Sequence, residues 1–168
     1  NTGHRNHIGR YNMYYTNTTG RNDIVNAKVA HDANQVYFYV ETAEKLTPAS
    51  DRNWMMLFID TDRDKSTGWN GYALIVNRVS PTSKQVGIEQ NVGNRWEWKE
   101  VSRSKYAVVG NKLELSIPKQ FIQSPKGNVS FEFKWNDNMQ ENGDIMDFYV
   151  NGDTAPGGRL NFVYKANE

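Results

Sequence analysis

Val36-Tyr37-Phe38-Tyr39-Val40-Glu41 alternates core-seeking side chains with ones that tolerate water, and a period of two marks a strand with one buried face. Just upstream, His31-Asp32-Ala33-Asn34 has the composition of a turn, and Val25, Ala27 and Val29 repeat the same alternation, so the segment reads as a hairpin. Downstream, Trp54-Met55-Met56-Leu57-Phe58-Ile59 is apolar at every position, which is expected of a central strand with a cover on each side. Further strands are expected over 72–79, at Val86 and Ile88, and over 95–101, where Trp96 and Trp98 fall on the same side. Tyr106 to Val109, the turn Gly110-Asn111, and Leu113, Leu115 and Ile117 give another hairpin, closed by Pro118 and a short helical piece through Phe121 and Ile122. Val129, Phe131, Phe133 and Trp135 alternate cleanly, strand character resumes over 145–150, a turn is expected over 153–158, and Leu160, Phe162 and Tyr164 finish the series.

About a dozen short strands with turn residues between them define an all-β class. The expected architecture is an antiparallel β-sandwich of jelly-roll or immunoglobulin-like type. It is read as a single domain over 1–168, with an irregular arm at 1–22 and the sandwich at 23–165. No internal repeat or linker divides it. A chain that opens on Asn1 is expected to be one part of a longer protein.

The charge is balanced, with 20 Lys plus Arg against 19 Asp plus Glu, so no field draws in nucleic acid. No apolar run approaches the roughly 18 residues a membrane-spanning helix needs, and no membrane insertion is expected. Cysteine is absent, which removes thiol nucleophiles, thiolate metal sites and disulfides.

Two groups of residues carry candidate chemistry. Asp60, Asp62 and Asp64 leave the end of the central strand at alternate positions, a spacing that lets oxygens converge on a hard cation such as calcium. The same residues also suit a turn in which carboxylates cap backbone amides and Arg63 and Lys65 offset the charge. The loop is not an EF-hand, because Lys65 stands where that motif needs glycine. The second group is aromatic. With five Trp and nine Tyr the chain has more rings than a core of this size needs, and flat rings stack on sugar faces while amides, carboxylates and guanidinium groups bind the hydroxyls. Trp54, Trp69, Trp96 and Trp98 are the expected exposed rings, with Trp135 assigned to the core; Tyr14, Tyr15, Arg21 and Asn22 add rings and polar groups from the arm. His4, His7 and His31 have no nucleophile motif beside them, and Asp144 and Asp147 fall on opposite sides of the expected strand, so no catalytic residue is assigned.

Taken together, Val36 to Val40, Trp54 to Asp62, Gly71-Tyr72 with its strand, and Tyr106 to Pro118 with its Ile-Pro ending resemble family 9 carbohydrate-binding modules and their DOMON-like relatives. The resemblance runs over roughly residues 24–164 and implies a jelly-roll-like sandwich with structural calcium, in which aromatic rings clasp a sugar and Trp54 takes the place of one ring. Met56 and Ile75 stand where that family places a sugar-binding carboxylate and arginine. It further implies a non-catalytic module of a secreted, periplasmic or cell-surface bacterial protein. The implied partners are a polysaccharide or oligosaccharide and a neighbouring catalytic domain. The other expectations are an accessory sandwich that packs on a catalytic domain without binding sugar, and a small glycoside hydrolase.

Overall fold

Residues 20–123 and 127–166 are described by the computed structural model. The opening hairpin is formed by β1 (Ile24–His31) and β2 (Gln35–Thr42), paired antiparallel. Val36, Phe38 and Val40 point inward, while Tyr37, Tyr39 and Glu41 are half-buried on the outer side. The remaining strands are β3 (Met56–Asp60), β4 (Leu74–Val76), β5 (Gln85–Asn91), β6 (Trp98–Val109), β7 (Lys112–Pro118), β8 (Ser130–Asp137), β9 (Asp153–Ala155) and β10 (Phe162–Lys165). Helical structure among the described residues is confined to a 3₁₀ turn at Lys119–Phe121 and the single-turn helix α1 (Asp147–Val150).

The strands follow the order β1-β2-β7-β6-β5-β4-β3-β8-β10, with β9 beside β8, and every pairing is antiparallel. The long strand β6 makes the corner. Its first part pairs with β5 and its last four residues pair with β7, so one strand belongs to both layers: the first layer is β1, β2, β7 and the end of β6, and the second is the start of β6 with β5, β4, β3, β8, β9 and β10. The two ends of the sheet then approach each other, through the Ile24 N–H donating to Asp153 at 2.7 Å and a 2.7 Å hydrogen bond between His31 Nδ1 and the Tyr164 hydroxyl. The result is an all-β sandwich close to a closed barrel.

Between the layers lies the main core, where Phe38 from one layer meets Phe131 and Phe133 from the other at ring separations of 5.6 and 5.5 Å. Strand β3 is buried at all five positions. Leu57 and Ile59 belong to the main core, whereas Met56 and Phe58 belong to a second apolar cluster on the opposite side of the same layer. The two covers expected from the apolar run at 54–59 are therefore both present.

Three local expectations change. The segment 145–150 is not a strand, because Asp147 binds the backbone N–H groups of Gln140 and Glu141 and so curls the chain. Ile145 and Phe148, three residues apart, then turn to one side and pack on the second cluster. Asp153 to Ala155, expected as a turn, adds β9 to the edge of β8. The separate strands expected at 95–101 and 106–109 are joined in β6, which leaves Trp96 in the preceding turn.

Phe131 is fully buried and packs on Phe38, Phe133 and Tyr164. Phe131→Ala is expected to lower unfolding free energy by about 3–5 kcal/mol, read as a reduced urea midpoint at unchanged slope.

Candidate functional site

The outer side of the second layer holds the site. Register places Lys134, Phe58, Ile75, Glu89 and Glu100 in one row across β8, β3, β4, β5 and β6. The apolar half of this row is roofed by three segments. The loop after β3 supplies Trp69 and Tyr72, the turn before β6 supplies Trp96, and the stretch before and within α1 supplies Met139, Ile145 and Phe148. Gly68 makes the first segment possible. It sits at φ +61°, and a Cβ there would lie 2.3 Å from the Tyr72 carbonyl oxygen, so only glycine lets Trp69 and Tyr72 fold back on each other.

Ring contacts run outward from this cover. Phe148 and Trp69 pack on Phe58 at 5.2 and 5.8 Å, Trp96 meets Trp69 edge to face at 4.5 Å, and Trp98 meets Trp96 edge to face at 5.5 Å. Only the last two indoles in the series reach solvent, and each is half-buried. Gly143, also left-handed at φ +88°, presses its backbone against Trp96, since a Cβ there would come 3.0 Å from the Trp96 Cβ. The indoles are thus held by packing on several sides.

Beside Trp98 the face turns charged. Glu89 and Glu100 stand opposite each other across β5 and β6, and each is gripped at two points by its own arginine. Arg78 Nε and Nη2 donate to Glu89 at 2.9 and 2.6 Å; Arg103 Nε and Nη2 donate to Glu100 at 2.8 and 2.9 Å. Such forked pairs fix the side chains; Glu89 is buried beneath a half-buried Arg78, while Glu100 and Arg103 are exposed and keep further acceptor and donor positions toward solvent. A strip results, with two half-buried indoles set edge to face at one end and two carboxylate–guanidinium pairs at the other.

The expected ring set divides. Trp54 and Trp69, at 1% and 3% exposure, are sealed and offer no face to a ligand. Trp54 donates its Nε1–H to the Thr47 carbonyl at 3.0 Å and meets Tyr106 edge to face, because the chain enters β3 pointing into the main core. Trp135 is buried, as assigned. Tyr14 and Tyr15 lie outside the described residues.

Arg21 and Asn22 serve a clasp rather than the strip. Arg21 Nε lies 3.0 Å from Asp137 Oδ2, and its other nitrogens donate to Asn138 and to the Arg52 carbonyl, both at 3.1 Å. Buried Asn22 exchanges hydrogen bonds of 3.0 and 2.9 Å with Thr47. Sequence reading missed Arg78, Glu89, Glu100 and Arg103. The register shift at Ile88/Glu89 turns Glu100 and Arg103, three apart, to one side of β6, and a bulge leaves no composition signal.

In the acidic loop the Asp60 and Asp62 side chains come within hydrogen-bonding reach of each other, and each carboxylate is engaged by the loop itself. Asp60 is fully buried, accepts from Arg63 N–H at 2.6 Å and meets Lys65 Nζ at 2.7 Å; the same ammonium reaches Glu132 at 2.5 Å. Asp62 accepts from Asp64 N–H and the Thr67 hydroxyl, and Asp64 from Ser66 N–H and hydroxyl. Among the described residues no three carboxylate or imidazole side chains gather into a metal group. Burial pushes the Asp60 carboxyl above its usual range, and Lys65 opposes that push. A calcium ion at Asp60, Asp62 and Asp64 would have to displace Lys65 from the one deep carboxylate. Adding calcium or a chelator is therefore expected to leave the melting temperature unmoved. A calcium-dependent rise would show that the metal displaces Lys65.

Burial pushes the Asp137 carboxyl up to about 6, against the opposing pull of the Met55 N–H and Arg21. Between that value and the unfolded carboxylate value near 4, the native state binds the proton that the unfolded chain releases. The Asp137 contribution to stability therefore grows as pH falls through this window and is lost as pH rises through about 6. The stability of the wild type minus that of Asp137→Asn is expected to increase on the order of 2–3 kcal/mol from about pH 7 to about pH 4, by urea denaturation.

Comparison of the chain with protein-family models, with curated proteins and with solved structures found no match.

Proposed function

We propose that this domain binds carbohydrate and carries out no catalysis, and that it serves a secreted or surface-attached bacterial glycan-processing protein. The observation that carries the reading is the packed indole pair Trp96 and Trp98 set beside the Glu89–Arg78 and Glu100–Arg103 pairs. An indole face offers a sugar ring an apolar surface, and carboxylate and guanidinium groups together match hydroxyls that both donate and accept. A neutral sugar suits a strip whose two carboxylates and two guanidinium groups balance. Both carboxylates are fixed in two-point contact with arginine, which favours holding hydroxyls over exchanging protons with a glycosidic oxygen. The resemblance of the strand sequences to family 9 modules supports the same class of ligand and the attachment to a catalytic neighbour. Among the described residues no helix is long and apolar enough to cross a membrane.

A second reading, an accessory sandwich that packs on a catalytic domain without sugar, is favoured by one observation. Val25, Leu160, Phe162 and Val163 are exposed near the β1 and β10 edges, and Val25 and Phe162 line one shallow depression.

Retention of the domain in gels containing soluble β-glucan, xylan, galactomannan or starch separates the two. The sugar reading expects retention by at least one polymer, lost by about tenfold or more in Trp98→Ala, with a melting temperature within a few degrees of wild type. Retention by none of a broad panel would leave the accessory reading in its place.

A further inference from the structure

The opposite side of the molecule carries a second pair of rings. On the outer face of the first layer, Tyr37 and Tyr39 stand two residues apart on β2, so their side chains leave the same face roughly 7 Å apart along the strand. Tyr37 faces Ala30 on β1 and Ser116 on β7, small neighbours that do not shade its ring. Tyr39 faces Lys28 and Glu114, and the Lys28 ammonium sits over one face of its ring, 5.4 Å from the centre, which leaves the other face for a ligand.

Both phenols are tethered. The Tyr37 hydroxyl donates to Asp32 Oδ2 at 2.8 Å, and Asp32 is itself fixed by accepting 2.7 Å hydrogen bonds from the Asn34 and Gln35 N–H groups. The Tyr39 hydroxyl donates to Glu41 at 3.1 Å. Tethering matters because a half-buried ring already held in one orientation loses little freedom when a ligand stacks on it. Around the rings, Asp32, Glu41 and Glu114 face Lys28 and Lys112, a near-balanced set that suits a neutral hydroxyl-rich chain better than a polyanion.

We infer that the Tyr37–Tyr39 face is a second carbohydrate site, one that takes an extended neutral polysaccharide strand lying along β2. The inference takes its ligand class from the proposed sugar-binding function, but it shares no residue with the Trp96–Trp98 strip. The two sites face away from each other on opposite layers and therefore hold different chains. A domain of this kind bridges polysaccharide molecules as well as binding them.

The test uses the whole chain with a soluble polysaccharide that retains it in gels, and follows the size of the mixture by dynamic light scattering. Wild type is expected to enlarge the polysaccharide particles. Tyr37→Ala/Tyr39→Ala is expected to abolish that growth while the domain is still retained through Trp98; Tyr37→Phe/Tyr39→Phe, which keeps the rings, is expected to preserve most of it. Trp98→Ala should likewise stop bridging, and the retention that survives its roughly tenfold loss should rest on the tyrosines. Bridging by Tyr37→Ala/Tyr39→Ala equal to that of wild type overturns the inference and leaves the tryptophan site standing. Unaltered retention and bridging in Trp98→Ala, with both lost in the tyrosine variant, overturns the tryptophan site and supports the tyrosine face. Growth of wild-type particles without polysaccharide, cured by the tyrosine variant, would identify the face as a self-association surface and overturn the inference.

Discussion

A strand that is apolar on both faces must be covered twice, and that constraint organises this molecule. Met56 to Ile59 send Leu57 and Ile59 into the space between the layers and Met56 and Phe58 the other way. Leaving two large side chains such as Met56 and Phe58 in water would cost on the order of 3–6 kcal/mol. The chain covers them with loops rather than a third layer, and loops bring with them indoles, glycines and backbone polar groups.

The cover explains where solvent-facing rings occur. Phe58 is enclosed by Trp69, Tyr72 and Phe148, and Trp96 packs on that enclosure from the side. Trp98 is the next ring along, at the point where the apolar row gives way to Glu89 and Glu100. An aromatic cluster that ends at a charged edge sets apolar rings beside carboxylate and guanidinium groups. The charges also fix one another, so the edge is ordered without a ligand.

Much of the fold was legible because strand alternation survives translation into structure. Val36, Phe38 and Val40 on β2, and Phe131, Phe133 and Trp135 on β8, all point inward as their spacing requires. The run at 54–59 revealed the two-sided burial. Ile145 to Val150 reads as a strand because a short apolar stretch does not distinguish a strand from one helical turn, and the deciding interaction, the Asp147 carboxylate on the Gln140 and Glu141 amides, lies outside the stretch itself. The candidate site was only partly legible. Trp96 and Trp98 could be placed on one side by counting, but burial of Trp54 and Trp69 depends on what packs above them. The arginine partner of Glu100 depends on a bulge that leaves no mark in composition.

Iodide quenching of tryptophan fluorescence, with and without a retained glycan, tests most directly the claim that the second cover leaves two indoles facing solvent to meet a sugar. The account predicts a quenchable fraction that disappears in Trp96→Phe/Trp98→Phe and is shielded in the wild type when the glycan is added. Quenching that persists undiminished in the double variant, or that bound glycan leaves unchanged, would contradict it.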